Sequence, residues 1–249
     1  MAQPAQPARL NWREGTVVDL VQEATRTRSI VLDVPDWGGH LAGQHVDVRL
    51  TDETGYQAQR SYSLASAPED GYLVLTVQRL DDGEVSRYLT DELQVGDIVE
   101  FRGPIGGYFI WTDPGSRPTQ LIAGGSGIVP FRAVLRHRAA TACAAPVRLL
   151  YSVRSPEDTI YHDELRRFAA YDEIDIHFAF TRSSPASWRG HRGRVDRTFL
   201  RRTAWPAGDR PLVLVCGPSE FVETLANLLV EAGHRPTDIK TERFGPTGE

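Results

Sequence analysis

The sequence contains little cysteine, no basic run and no long apolar stretch. Only Cys143 and Cys216 occur among 249 residues. Neither lies in a metal-ligand spacing, so we expect no iron–sulfur cluster, zinc site or other metal centre. The formal net charge is −5 and no five consecutive residues are basic, which argues against nucleic-acid binding. No segment approaches the roughly 20 apolar residues of a membrane span.

The opening stretch Met1 to Leu10 consists largely of Ala, Gln and Pro and has no apolar core of the kind found in signal peptides. We therefore expect a cytoplasmic protein. A chain of 249 residues with 41% hydrophobic composition can build two modest cores. The loop from Trp111 to Pro118 is rich in Pro, Gly and Asp, which predicts a boundary between one domain over residues 10–112 and another over 118–249.

The pattern of the first half predicts short strands separated by turn residues, which is typical of a small antiparallel β-barrel. The predicted strands are 16–21, 29–34, 45–50, 60–65, 72–79 and 98–102. The second half alternates apolar strands with helical patterns, which predicts a parallel sheet covered by helices. Its predicted strands are 120–123, 147–153, 174–180 and 212–216, and its predicted helices are 130–138, 162–170, 196–202 and 219–232.

A first candidate site lies in the segment Arg60-Ser61-Tyr62-Ser63-Leu64. A guanidinium, an aromatic face and two hydroxyls on an extended segment suit a pyrophosphate joined to a flat ring. Strand alternation sends Arg60 and Tyr62 to one face and Ser63 to the other, so Ser63 reaches the same ring only where the strand twists or bulges. The alternative is an ordinary surface strand with an outward arginine.

A second candidate site lies in the run from Ala123 to Pro130, where Gly124, Gly125 and Gly127 separate an apolar strand from a helical pattern. Glycines at such a turn let the backbone approach a pyrophosphate, and the helix N-terminus supplies unpaired N–H donors. Pro130 takes the third glycine position of the G-x-G-x-x-G fingerprint, and proline is tolerated in the first turn of a helix.

Two arginines follow predicted strands of the second half. Thr181 and Arg182 come directly after the strand ending at Phe180. A guanidinium there suits the 2′-phosphate of NADPH, whereas NADH binding favours an acidic residue. Arg154 also follows a strand and could instead contact the pyrophosphate. NADPH is the favoured cofactor and NADH remains possible.

The order of these motifs resembles that of the ferredoxin–NADP(+) reductase-like family of FAD-binding oxidoreductases, over nearly the whole chain. The matching segments are Arg60–Leu64, the turn Gly83-Glu84-Val85-Ser86, the run Gly124–Pro130, Cys216-Gly217-Pro218 and Glu242-Arg243-Phe244-Gly245. The chain stops four residues after Gly245 and lacks the cysteines of a fused ferredoxin domain. The resemblance therefore implies a stand-alone bacterial type with a separate electron acceptor.

The resemblance also implies roles for the flavin side. Arg60 would bind the flavin pyrophosphate, Tyr62 would pack along the flavin, and Ser63 would hydrogen-bond near the flavin N5 edge. Gly83, Val85 and Ser86 would supply a second pyrophosphate contact suited to FAD. Ser86 has the alternative role of a helix N-cap.

For the nicotinamide side, the resemblance places the Cys216 thiol against the nicotinamide ring, and it makes Gly217 and Pro218 cofactor-binding residues. Glu242 would exchange protons and Phe244 would cover the flavin face, so Ser63, Cys216 and Glu242 are the candidate catalytic residues. Plant-type members end in an aromatic residue, whereas this chain continues through residues 245–249, and we expect it to gate nicotinamide access differently.

The function implied by the resemblance is hydride transfer from NADPH to FAD, followed by release of single electrons to a separate redox protein. A ferredoxin, a Rieske oxygenase, a haem protein and a molybdenum enzyme all fit as acceptors. Two alternatives stay open: a flavin reductase that releases reduced flavin, and a non-catalytic cofactor-binding subunit of a larger complex.

Overall fold

The computed structural model describes residues 10–112, 115, 117–171 and 173–245. Parts of three predictions lie outside these described residues. They are the opening stretch 1–9, positions 113, 114 and 116 of the linker, and the terminal extension 246–249. The predicted domain limits, which run through these positions, stay a prediction.

The first half of the chain folds into an antiparallel sheet. Its strands are β1 Trp12–Ala24, β2 Thr27–Asp33, β3 His45–Thr51, β4 Gln57–Ser63, β5 Leu73–Gln78 and β6 Ile98–Ile105. They follow the order β4-β3-β6-β1-β2-β5. Leu64, directly after β4, forms a bridge with Leu75 of β5, and Ala65 N donates to Val74 O at 2.8 Å. This pairing brings the two edge strands together, as barrel closure requires.

The second half folds into a parallel sheet. Its strands are β7 Thr119–Gly124, β8 Val147–Val153, β9 Ile174–Phe180, β10 His191–Arg192, β11 Leu212–Pro218 and β12 Ile239–Phe244. They follow the order β10-β9-β8-β7-β11-β12, and every pair is parallel. The predicted fold class is confirmed. Strands β10 and β12 are additions that the sequence patterns did not predict.

The helices are α1 Glu84–Arg87, α2 Val129–Ala140, α3 His162–Phe168, α4 Arg197–Thr203 and α5 Ser219–Glu231. The four predicted helices of the second half correspond to α2 to α5. Asp196 is the N-cap of α4 and accepts a hydrogen bond from Phe199 N at 2.7 Å, which satisfies one of the helix's unpaired donors. Helix α1 is a single turn that widens into the segment Tyr88–Glu92.

Hydrophobic side chains form one core inside the antiparallel sheet and one on each side of the parallel sheet. The core under α2 and α3 also contains four residues of the first half, Ala42, Ala65, Phe109 and Trp111. The Phe109 ring lies 6.0 Å from the Phe131 ring of α2, measured between centroids. The two halves therefore share apolar packing.

Within the described ranges, no helix is long and apolar enough to cross a bilayer. Over the same residues, no three His, Cys, Asp or Glu side chains gather closely enough to hold a metal ion.

Candidate functional site

The parallel sheet changes its winding direction between β7 and β11. From β7 the chain adds β8, β9 and β10 on one side, and it then returns to add β11 and β12 on the other side. In such sheets a crevice opens beyond the carboxyl ends of the two central strands, and ligands bind there. Gly124 ends β7, and Cys216 lies close to the end of β11.

Three glycines allow backbones to meet closely at this crevice. A Cβ on Gly127 would lie 2.1 Å from the carbonyl oxygen of Cys216. A Cβ on Gly124 or on Gly217 would lie 2.7 Å from the ring of Phe221. Since real Cβ atoms do not approach other atoms so closely, the turn must present bare backbone. Phe221, on α5, was not identified from the sequence because only the folded structure brings its ring to both glycines.

Helix α2 begins directly after this glycine turn. Its N-cap, Ile128, provides no side-chain hydrogen bond, and Pro130 occupies the first turn. The backbone N–H groups of the turn are therefore not capped by side chains, and the positive end of a twelve-residue helix points toward the crevice. A bare backbone cradle before an uncapped helix start fits the pyrophosphate of a dinucleotide.

Two of the three predicted catalytic residues, Cys216 and Glu242, lie next to each other. Cys216 pairs with Ala123 of β7 on one side and with Glu242 of β12 on the other. Cys216 is 1% exposed. Burial, reinforced by the charge of Glu242, raises the pKa of the thiol well above its ordinary value, so Cys216 is a neutral thiol and not a nucleophile.

Glu242 carries the most perturbed carboxyl group at the crevice. Burial raises its pKa to about 7. Its Oε2 atom is buried and has no hydrogen-bond partner within the described part of the chain. A buried carboxyl oxygen without a partner costs free energy, and a pKa near neutrality allows the group to bind or release a proton. Both properties are expected of a functional carboxyl group.

Glu242 and Phe244 belong to strand β12. From the sequence they were identified only as part of a motif and not as part of a strand. Phe244 pairs with Pro218 at the end of β11 and packs, partly buried, against the core that contains Cys216. The predicted contact of Phe244 with the flavin face stays a prediction.

The flavin-side residues occupy β4, beside β3. Arg60 is exposed, and among the described residues its guanidinium donates only to the neighbouring Gln59 O, at 2.7 Å. Tyr62 packs against the barrel core, and burial raises the pKa of its hydroxyl. Ser63 lies opposite His45 of β3, and no described residue hydrogen-bonds its hydroxyl. Arg60 and Ser63 are therefore available to a ligand, whereas part of the Tyr62 ring is covered by protein.

Ser61 points away from Arg60 and Tyr62 in the predicted alternation along β4, and its hydroxyl bonds to the protein. Ser61, between Arg60 and Tyr62, donates its hydroxyl to Asp47 at 2.6 Å, and Asp47 also accepts from Arg102 Nη2 at 2.9 Å. The Ser61 hydroxyl is therefore engaged in a hydrogen bond within the protein. Asp47 was not identified from the sequence because its partners are distant along the chain.

The turn Gly83–Ser86 is held by hydrogen bonds of the Ser86 hydroxyl to nearby backbone atoms. Gly83 is the N-cap of α1. The Ser86 hydroxyl accepts from Leu80 N at 3.2 Å and donates to Gly83 O at 3.3 Å. A Cβ on Gly83 would lie 2.4 Å from that hydroxyl. The alternative of Ser86 as the N-cap is therefore wrong, because Ser86 occupies the third helical position. The predicted pyrophosphate contact of Gly83, Val85 and Ser86 stays a prediction.

Arg154 and Arg182 project from the carboxyl ends of β8 and β9. Thr181 N donates to Val153 O at 2.9 Å, and Arg182 N donates to Arg154 O at 2.9 Å, so the two strand ends continue side by side. Both arginines are exposed, and neither side chain makes an ion pair or hydrogen bond with a described residue. Each guanidinium is free to meet a phosphate.

Nearby arginines are already engaged. Arg192 donates to Pro185 O and Trp188 O, and Arg194 pairs with Glu220. Arg154 and Arg182 therefore remain the candidates for nucleotide contacts at these strand ends.

The structure also brings the end of β4 close to α2. Ala65, two residues beyond Ser63, accepts a hydrogen bond from Arg132 Nη1 of α2 at 3.2 Å. The predicted flavin strand and the helix after the glycine turn are therefore in direct contact. Arg132 was not identified from the sequence, where it reads as a solvated helix residue.

Comparisons with known proteins match both halves of the chain. A family model described as "Oxidoreductase FAD-binding domain" matches residues 16–110, and one described as "Oxidoreductase NAD-binding domain" matches residues 121–227. The chain is 36% identical over 211 residues to "Ferredoxin--NADP reductase B" of Sorangium cellulosum, covering 82% of this chain and 84% of that protein.

Longer relatives also match. The chain is 28% identical over 236 residues to the "Glycine betaine monooxygenase reductase subunit" of Chromohalobacter salexigens, covering 92% of this chain but 63% of that protein. Among solved structures, the flavohem-like FAD/NAD binding domain of nitric oxide dioxygenase from Vibrio cholerae superposes with a TM-score of 0.84 at 27% identity. That match covers 94% of this chain and 99% of the other.

Proposed function

Because the chain belongs to the ferredoxin–NADP(+) reductase-like family of FAD- and NAD-binding oxidoreductases, we propose that it oxidises NADPH and passes single electrons to a separate redox protein. The family and the two cofactor classes predicted from the sequence are confirmed. The preference for NADPH, the separate acceptor and the cytoplasmic location are our proposals.

The observation that carries the proposal is the pair of Cys216 and Glu242 at the crevice. Below about pH 7 both side chains are uncharged, because burial raises the pKa of the Cys216 thiol well above its ordinary value and that of the Glu242 carboxyl group to about 7. Such a surface suits an uncharged dihydronicotinamide ring. The bare turn around Gly127 then holds the pyrophosphate of the same cofactor.

On the flavin side, Arg60 binds the pyrophosphate and Ser63 donates a hydrogen bond to the ring. Bound FAD supplies the step between a two-electron donor and a one-electron acceptor. Residues of the protein orient the two rings, exclude water between them, and hold a proton at the Glu242 carboxyl.

NADPH is proposed rather than NADH because of Arg182. Its guanidinium is unpaired in the described structure, at the strand end where the adenosine ribose binds in such folds. No acidic residue stands beside it in the sequence to hydrogen-bond a ribose diol. Arg154 is proposed to contact the pyrophosphate.

For the acceptor, we propose the terminal component of an oxygenase system. Support comes from relatives that are named as a reductase subunit or an electron transfer component of an oxygenase system, including the "Toluate 1,2-dioxygenase electron transfer component" of Pseudomonas putida. The chain spans 63% of the length of the first of these relatives. The acceptor of this chain is therefore a proposal.

Anaerobic rapid mixing tests the proposal. The purified protein should retain FAD through gel filtration, and NADPH should bleach the flavin absorbance within a single turnover. A protein that binds both cofactors without bleaching would be a non-catalytic subunit. One that loses its flavin during filtration and turns over only with added flavin would be a flavin reductase. Turnover with candidate acceptors encoded by neighbouring genes then identifies the partner.

A further inference from the structure

Helix α2 contacts both halves of the proposed reaction site. Its first turn follows the glycine turn that packs on Cys216. Its middle turns carry Arg132 and Arg136, which face the segment Ala65–Asp70 of the first half. That segment directly continues β4, the strand of Arg60 and Ser63. The same helix therefore meets the nucleotide turn at one end and the extension of the flavin strand along its side.

The contact of Arg136 with Asp70 is a two-pronged ion pair. Arg136 Nε donates to Asp70 Oδ2 at 2.8 Å, and Arg136 Nη2 donates to Asp70 Oδ1 at 2.7 Å. Only a planar guanidinium can make both bonds at once, so the pair fixes direction as well as distance. Its side chains are 34% and 22% exposed, so solvent screens the attraction only partly.

Glu164 of α3 secures the arginines from the other side. It accepts from Arg132 Nε and from Arg136 Nη1, both at 2.6 Å. Glu164 is 13% exposed and Arg132 is 16% exposed. Each guanidinium therefore bonds Glu164 in the second half and, at the same time, a residue of the first half.

The segment Ala65–Asp70 is itself stiff. Ala67 N donates to Asp70 Oδ2 at 2.8 Å, so the carboxylate that Arg136 holds also closes the turn. The Ser66 carbonyl lies 2.9 Å from His40 Nε2, which ties it to the first half. Asp70 therefore lies at one end of a short, hydrogen-bonded segment that leads back through Leu64 to Ser63.

We propose that Arg136 and Asp70 form a positioning pair that sets the approach of the flavin strand to the nicotinamide turn. The inference rests on the proposed function, since it concerns the geometry of that reaction. Neither residue touches the reacting atoms. Hydride transfer requires reacting atoms about 3 to 3.5 Å apart, and a misplacement of about 1 Å can cost roughly a hundredfold in rate.

The test is a double-mutant cycle of Arg136→Ala, Asp70→Ala and the two together, in the full flavin-loaded chain. We expect the rate of flavin reduction at saturating NADPH to fall at least about tenfold in each single variant, and no further in the double variant. The flavin content and the NADPH dissociation constant should stay within about twofold. Arg136→Lys, which keeps the charge but loses the fork, should lie between wild type and Arg136→Ala.

A matched control is Arg197→Ala, which removes an ion pair with Glu231 that lies wholly within the second half and is about half exposed. It should leave the reduction rate unchanged. Equal slowing in the control, unchanged rates in both single variants, or losses that multiply in the double variant would overturn the positioning role. If Arg136→Ala does not fold, Asp70→Asn decides by the same criteria.

Two readouts do not depend on turnover. The absorbance change of the bound flavin on titration with NADP(+) should be reduced in the single variants, and amide hydrogen exchange over residues 65–70 should be faster. If the wild type is not bleached by NADPH, the proposed function fails, but these two readouts still decide whether the pair positions the segment. Unchanged spectra and unchanged exchange would reject the pair in that case.

Discussion

Strands β4 and β7 carry the two halves of the candidate site in opposite ways. Every residue of β4 is exposed or partly buried, and every residue of β7 is buried. On β4 the proposed ligand contacts come from side chains that protrude, such as Arg60. After β7 they come from backbone that glycines leave bare, such as Gly127. Removal of a side chain should therefore impair the flavin site, and addition of one should impair the nucleotide site.

Addition of a single methyl group at the nucleotide turn should have the largest effect. In Gly127→Ala the new Cβ would lie 2.1 Å from the Cys216 carbonyl oxygen, so either the turn or the end of β11 must move. We expect a loss of about 3 kcal/mol or more in unfolding free energy, together with loss of nicotinamide nucleotide binding. Denaturant unfolding and nucleotide titration measure both.

The matched control is Gly208→Ala, where a Cβ would meet nothing within 4 Å. It should change stability by less than about 0.5 kcal/mol. If the Gly127 and Gly208 variants behaved alike, close backbone approach would not be what the turn requires.

The next largest effect concerns Glu242, the buried carboxyl group at the edge of the same crevice. Its folded pKa of about 7 lies above the ordinary value of 4.5, so the folded state holds the proton more tightly than the unfolded state. The wild type should lose stability as the pH rises from about 4.5 to about 7, and Glu242→Gln should not lose this contribution. At pH 8 we expect the variant to be more stable by about 2 to 3 kcal/mol.

Thermal unfolding of the wild type and the variant at pH 5 and pH 8 measures this difference. Glu53→Gln, at an exposed position on the barrel, serves as the control and should follow the wild type at both pH values. Parallel curves for wild type and Glu242→Gln would mean that the Glu242 carboxyl group is not strained by burial.

On the flavin strand, Arg60→Ala should weaken FAD binding by roughly 1.5 to 3 kcal/mol, because it deletes a charge-assisted contact. Stability should change little, since Arg60 is exposed and its one hydrogen bond to a residue that the structure describes is with Gln59 O. Flavin content after gel filtration and fluorescence titration measure the loss. Gln59→Ala, the exposed neighbour, is the control. Full flavin content with unchanged affinity in the Arg60 variant would remove Arg60 from the flavin site.

The smallest expected effect separates the two nucleotides. Arg182→Ala should lower kcat/KM with NADPH at least about tenfold, equivalent to about 1.4 kcal/mol, and should change the value with NADH little. Arg154→Ala should lower both values equally, because the pyrophosphate is common to both cofactors. Equal losses in the Arg182 variant, or a wild type that prefers NADH, would contradict the proposed contact with the 2′-phosphate.

The same contrast between β4 and β7 explains how much of the fold could be predicted. All six barrel strands follow from turn residues and short apolar patterns, and the strand–glycine–helix order locates the turn at Gly127. Strand β12 was missed because Lys240, Glu242 and Arg243 give it a charged composition, and only its pairing with β11 buries Glu242. Sequence composition predicts exposure for such a carboxyl group.

Contacts between distant segments could not be predicted either. Phe221 fills the space that Gly124 and Gly217 leave, and Asp70 meets Arg136 across 66 positions of chain. The contact of Phe221 with Gly124 depends on how α5 packs on the parallel sheet, and the contact of Asp70 with Arg136 depends on how the two halves pack. The spacing of the motifs located the candidate residues, and the packing determines which of their atoms are free.

The apolar core shared by the two halves has a consequence for how the molecule melts. Phe109 packs on Phe131, and the Trp111 ring meets the His137 ring edge-on with centroids 5.7 Å apart. Each half therefore completes part of the interior of the other. Heat should disrupt both sheets in one cooperative transition. A protein severed between residues 112 and 118 should yield fragments that aggregate when separate, and that regain solubility when refolded together.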